Sequence, residues 1–202
     1  KNHTAVDVAL FGRMLADEPS FNTEAAAQVA HAIAVHKCAV EDDFYTAVDD
    51  LNTHEEDAGA GHMGSTEYGA AVYYLYLCID RRQLLDNLGG DRALADCAAQ
   101  SLLECAATVA PGGKQNSFAS RARASYILAE KGDGQPRQLS SAFLKPVWGG
   151  DLMPEAIKAL NESAARFDQV YDDCPCAAAR ASLNALTGEG SLSALHAFVA
   201  ED

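Results

Sequence analysis

Between Lys37 and Arg81 the sequence holds ten acidic residues and no Lys or Arg. Inside that stretch, Glu41-Asp42-Asp43-Phe44-Tyr45-Thr46 is followed by a glycine-rich segment, Gly59-Ala60-Gly61-His62-Met63-Gly64. Such a segment is too polar to line a core and too aromatic for a plain linker. Two extended arms joined by a flexible tip fit it. Whatever core the chain builds must therefore come from the apolar segments on either side.

Those segments carry their own periodicities. Val6, Val8 and Leu10 alternate with Asp7 and Ala9, which predicts a strand. Asn22-Thr23-Glu24 offers a cap and a first-turn acid for a helix running to about Val35, with Val29, Ala30 and Ile33 on one face. Val72 to Ile79 is a nearly continuous β-branched and aromatic run, suited to a central buried strand. Asp80 opens a short helix stopped by Gly89-Gly90, and a second helix spans Asp91 to about Thr108. Pro111-Gly112-Gly113 ends it, and Tyr126 to Ala129 reads as another strand. Strand, helix and strand at this spacing make one half of a split β-α-β, ferredoxin-like sheet. From Pro154 onward the pattern is helical, with Ile157, Leu160, Ala164, Phe167 and Tyr171 on one face and a last helix from Ser191 to Ala200. The expected fold class is α+β.

Composition excludes several classes. At 202 residues and 49% hydrophobic content the chain can bury a core, and no run of about 18 apolar residues points to a membrane span. No signal-peptide pattern opens it. The first residues, Lys1-Asn2-His3-Thr4, lead straight into the apolar segment without Met, as a start in mid-domain would. Six cysteines do not make a disulfide framework in a chain this long; Cys97 and Cys105 are expected as small apolar core groups. Cys174-Pro175-Cys176 lacks both zinc-site spacing and a second ligand pair. Together these features predict a reducing, cytoplasmic setting.

A net charge of −14 is unusual for a chain that holds phosphate, yet net charge governs solubility and steering rather than a local site. From Pro111 to Gly150 the balance reverses: Lys114, Arg121, Arg123, Lys131, Arg137 and Lys145 face only Glu130 and Asp133. The loop Pro111-Gly112-Gly113-Lys114-Gln115-Asn116-Ser117 lies in this window. Its glycines let backbone N–H groups approach a phosphate, and Lys114, Gln115, Asn116 and Ser117 add donors. It is not a Walker loop, and by spacing alone an ordinary polar turn is the slightly better reading. Met14, Phe44, Tyr45 and Met63 are apolar groups of the kind that stack on nucleobases, with core packing as the alternative. His31 and His36 are five apart, which does not place two metal ligands on one helix face. The acid pairs Asp49-Asp50 and Asp172-Asp173 read as solvated surface. No nucleophile motif has supporting context, so no catalytic residue, metal ligand or cofactor is assigned.

In order along the chain, Val6-Asp7-Val8-Ala9-Leu10-Phe11-Gly12-Arg13-Met14, Ala30-His31-Ala32-Ile33 with His36, and Phe44-Tyr45-Thr46-Ala47-Val48-Asp49-Asp50-Leu51 resemble the CasC family, the repeating backbone subunit of the type I-E CRISPR Cascade complex. The likeness continues through Gly61-His62-Met63-Gly64-Ser65-Thr66-Glu67-Tyr68, Asn87-Leu88-Gly89-Gly90, Pro111-Gly112-Gly113-Lys114-Gln115 and Ser141-Ala142-Phe143-Leu144-Lys145. It covers roughly residues 5–150. The resemblance implies a palm of RNA-recognition-motif (ferredoxin-like) type, incomplete at its N-terminal side, with a β-hairpin thumb inserted and C-terminal helices. On that division, 1–39 hold a palm strand and helix, 40–68 a mobile thumb, 69–150 the palm β-α-β and 151–202 helices packed on the palm.

The resemblance also implies partners: the guide RNA, the target DNA strand read through the guide, further copies of the chain and other Cascade subunits, with no membrane. Lys114, Gln115, Asn116, Lys145 and Arg13 are implied to meet RNA. Met14, Phe44, Tyr45, Thr46 and Met63 are implied to wedge beside a displaced nucleotide. Such wedges spend unstacking energy to fix a nucleic-acid geometry. A small, acidic, metal-dependent phosphoesterase using Asp49, Asp50 or His62 is the competing reading, and a structural interaction domain is a third.

Overall fold

The computed structural model describes residues 5–47, 62–172 and 179–200. The segment expected as a first strand is a helix, α1 (Val6–Phe11), with Ala9 and Leu10 buried. Read at period 3.6, Val6, Ala9 and Leu10 share one face; the alternation treated Ala9 as the solvent side, yet it is fully buried. Gly12 ends α1 with φ +77°, and a Cβ there would lie 2.9 Å from the Thr23 carbonyl. The chain turns back at that point through the Arg13–Thr23 bridge.

The expected helix to Val35 is also replaced, here by two short strands, β1 (Ala27–Val29) and β2 (Ile33–Ala34). They pair antiparallel with β6 (Leu77–Ile79) and β5 (Tyr73–Tyr74) respectively. The Val72–Ile79 run is thus not a central buried strand. It is two short strands in two-stranded sheets, with Tyr73 58% exposed. Backbone bonds from Ala30 to Tyr76 and from Val35 to Val72 join both pairs into one ribbon. Ala30 and Ile33 are three positions apart while Tyr76 and Tyr74 are two, so one residue near His31 and Ala32 is extra, as in a β-bulge. β-Branched Val29, Ile33 and Val35 suit this ribbon better than a helix, and cross-strand pairing outweighs the local cap signal.

The ribbon runs outward into the acidic segment. There β3 (Val40–Ala47) and β4 (His62–Gly69) pair antiparallel from Val40↔Gly69 to Ala47↔His62. The two expected arms are present; the tip between them lies outside the described residues.

Helices α2 (Arg81–Asn87) and α3 (Arg92–Thr108) form as their termini predict. The Asp80 and Asp91 carboxylates accept from the Gln83 and Leu94 N–H groups. Gly89 N–H bonds the Asp86 carbonyl and Gly90 N–H the Leu85 carbonyl, with both glycines at positive φ, a Schellman stop. Leu84 and Leu88 project into a core with Leu10, Ala26, Ala27, Ala95 and Ala98. Asn87 donates to the Ala9 and Glu24 carbonyls, tying α2 to α1 and to the start of the ribbon. Cys97 and Cys105, expected in the core, are exposed, because the face of α3 that meets the core is lined by Ala95, Ala98 and Ala99.

β7 (Tyr126–Glu130) pairs with a strand the helical pattern of the C-terminus concealed, β8 (Arg180–Asn184), and not with β6. The long helix α5 (Leu152–Val170) buries Ala156, Leu160, Ser163 and Ala164. A second core gathers Leu139, Leu160 and Ala164 with Tyr74, Tyr126, Leu128, Phe143 and Phe167. α6 (Leu192–Ala200) packs on α3, and Gln100 Nε2 donates to the His196 carbonyl across that contact. The architecture is α+β with small antiparallel sheets. No helix among the described residues is long and apolar enough to cross a membrane.

Candidate nucleic-acid interface

The register of the hairpin sorts its side chains onto two faces. Phe44, Thr46 and Met63 share one face; Tyr45, Gly64, Thr66 and Tyr68 share the other. The implied wedges are therefore divided rather than grouped. Both strands stand exposed, with Phe44 66%, Tyr45 45% and Met63 63% accessible, so these apolar groups are not core. Tyr45 lies across its cross-strand partner Gly64, where an added Cβ would meet the phenol oxygen at 2.6 Å. A glycine at that position is what lets the ring lie flat against the partner strand.

The face bearing Tyr45 turns toward the basic loop at its inner end. Tyr68 meets Phe118 edge-to-face at 5.5 Å between centroids, and Lys114 Nζ sits 5.6 Å from the Phe118 ring. Phe118 ends a single helical turn, α4 (Gln115–Phe118), between Lys114 and Ala119, both in left-handed backbone. Tyr68 and Gly64 are four positions apart on β4, so Tyr45 stands about 13 Å further out along the hairpin than Tyr68. Hairpin and loop, read separately in the sequence, form one continuous surface.

Within the loop the roles divide. Gln115 Nε2 donates to the Pro111 and Ser120 carbonyls and braces the turn from inside. Lys114 and Asn116 are exposed. Arg13 donates through Nε and Nη2 to the Phe21 carbonyl, at 3.1 and 2.8 Å, and closes the loop after α1. Met14 beside it is 86% exposed. Lys145 is exposed after the 3₁₀ turn Ser140–Phe143.

The basic window resolves into structural and open charges. Arg137 is engaged with Glu130 at 2.6 Å and Asp168 at 2.8 Å, and Asp133 with Arg82 at 2.6 Å. Lys131 lies 4.4 Å from the Phe198 ring centroid. Among the described residues, exposed Arg121, Arg123 and Lys145 have no carboxylate partner, and Lys114 contacts only a ring. Arg121 and Arg123 were visible in the charge count but not distinguished from Arg137; only the ion pairs separate them. Tyr68 and Phe118 were missed as site residues, and nothing in their spacing announces their contact.

Asp168 accepts from Arg180 at 2.6 Å and from Arg137 at 2.8 Å, and the two guanidinium groups hold its carboxyl at about 2. Both arginines are raised by their carboxylate bonds. Glu130 completes the square through Arg137 and Arg180. This square fastens β7 and β8 to α5 and leaves none of its charges for a ligand. His36 is hydrogen-bonded, not ligating: Nε2 accepts from the Val72 N–H at 3.1 Å, which leaves the proton on Nδ1, 2.9 Å from the Lys37 carbonyl. Asp49, Asp50 and Asp173 lie outside the described residues. Among those described, no cluster of three His, Cys, Asp or Glu is placed to hold a metal.

Chains of CRISPR RNA-guided surveillance complexes share this fold. One solved chain, from a "CRISPR RNA-guided surveillance complex, pre-nicking", is 36% identical with a TM-score of 0.73, the match covering 84% of this chain and 46% of that one. Another, from a "CRISPR RNA-guided surveillance complex", is 32% identical with a TM-score of 0.75, covering 96% of this chain and 75% of that one. The chain matches the CT1975-like protein family over residues 1–198, and it belongs to that family. A search of curated proteins gave no match. The chain thus spans less than half the length of the first solved relative.

Proposed function

We propose that the chain is a non-catalytic backbone subunit of a cytoplasmic CRISPR surveillance complex of type I-E. It binds guide RNA along the phosphate backbone, assembles with further copies and other subunits along that RNA, and supports pairing of the target DNA strand with the guide. In this reading residues 40–68 are the thumb, and the two cores with their ribbon form the remainder of an RNA-recognition-motif-like palm. Lys114, Arg121, Arg123 and Lys145 meet phosphates, Asn116 adds a donor, and Gln115 and Arg13 shape the loops that present them. The single observation supporting this is similarity above 30% identity to two surveillance-complex chains, one of them across 96% of this sequence.

The test is binding of guide-length RNA by the full-length protein across salt concentrations. Four cations each neutralising one phosphate give a slope of about −3 in log K against log salt for single strands. A flat response ends the reading, because phosphate contacts must release counterions.

A further inference from the structure

The chain's one tryptophan, Trp148, is 72% exposed on the segment 144–150. That segment is anchored: the Val147 N–H donates to the Val35 carbonyl at 2.9 Å, and the Val35 N–H donates to the Val72 carbonyl at 3.0 Å. That bond holds the backbone next to Trp148 against the ribbon at Val35, which is 2% exposed. Among the described residues the Trp148 indole N–H has no hydrogen-bond partner and its ring touches no other ring. Leaving a ring of this size in water forgoes burial that most tryptophans obtain.

Its surroundings favour one class of ligand. Lys145 is exposed three residues earlier, within about 10 Å of extended chain. Residues 134–150 contain no acid, although the whole chain carries −14. A Cβ added at Gly149 or Gly150 would meet nothing within 4 Å, so the chain after the ring leaves open space beside it. A fixed, open π face beside an unpaired cation matches an unpaired nucleobase with its phosphate. An acidic, apolar protein surface, which exposed Leu144 would also meet, is the other partner such a patch could take, and the titration below separates it from the base.

We propose that Trp148 is a stacking platform for an unpaired base of single-stranded RNA, with Lys145 neutralising the adjoining phosphate. The proposal rests on the reading that this protein binds RNA, and the experiment separates the two. Labelled single-stranded RNA of mixed sequence is titrated by anisotropy into full-length wild type, Trp148→Ala, Trp148→Phe and Lys145→Ala at several salt concentrations. Indole fluorescence is recorded alongside, with Trp148→Phe subtracted to isolate this residue.

Trp148→Ala is expected to bind at least about five-fold more weakly with an unchanged salt slope, and Trp148→Phe to stay within about two-fold of wild type. Lys145→Ala should instead lower the slope by about 0.7. Thermal midpoints should match across the set, since an exposed ring contributes little to the core. Salt-dependent RNA binding with undiminished affinity in Trp148→Ala overturns this proposal alone. No RNA binding by wild type overturns it together with the proposed function. A Trp148 signal that follows protein concentration without RNA places the ring between copies and overturns it as well.

Discussion

Replacing Asp168 by Asn tests the charged square that holds the C-terminal strand to its helix. Asp168 accepts three bonds from two arginines at 2.6 to 2.8 Å, and its side chain is 29% exposed. Its carboxyl is held at about 2 against an ordinary 3.8. That difference corresponds to about 2.4 kcal/mol if fully realised, and solvent access reduces it to about 1–1.5 kcal/mol. Because the folded value is depressed, the contribution is whole above pH 4 and fades as pH falls toward 2. At pH 3 about half remains.

Asn keeps the shape but loses the charge, leaving Arg137 and Arg180 to share Glu130. Urea unfolding followed by circular dichroism should show the variant about 1–2 kcal/mol less stable at pH 7. The gap between variant and wild type should shrink by about half at pH 3. An equal gap at both pH values would show that the bonds matter through shape and not charge. No gap at pH 7 would remove the square from the account of stability.

Leu88→Ala opens a cavity in the core beneath α2 and should cost about 2–4 kcal/mol in chemical denaturation, given that Leu88 is 1% exposed. Lys114→Ala should weaken RNA binding and lower the salt slope by about 0.7, with a stability change of at most about 0.5 kcal/mol from the lost Phe118 contact. Equal affinity in that variant removes Lys114 from the interface. Gly64→Ala should push the Tyr45 ring off the partner strand while changing stability by less than about 0.5 kcal/mol, because the clash is with the free end of a side chain. Unchanged Tyr45 ring resonances in an NMR comparison would refute that contact.

What the sequence determined by itself lies where a signal and its structural consequence are neighbours in the chain. The caps at Asp80 and Asp91 and the Gly89-Gly90 stop bound α2 and α3, because each is one side chain or one positive φ acting within a few residues. Of the stripe read on α5, Leu160, Ala164 and Phe167 reach the second core, while Tyr171 lies past the helix end and is 55% exposed; the arms of the hairpin pair as read. The open cations were legible too, although not their separation from Arg137, which needed Glu130 and Asp168 in place.

Tertiary structure decided what depends on distant partners. Residues 27–34 could satisfy a helical pattern, but their backbone bonds go to the segment ending at Ile79, on the far side of the hairpin. The pairing of β8 with β7, the exposure of Cys97 and Cys105, and the meeting of Tyr68 with Phe118 share that origin. α1 shows the converse: Val6, Val8 and Leu10 satisfy two periods, and only burial of Ala9 against its neighbours chose the helix. A local pattern states which side chains could share a face. The partner that covers the face, and so fixes which pattern is used, is chosen by packing across the whole chain.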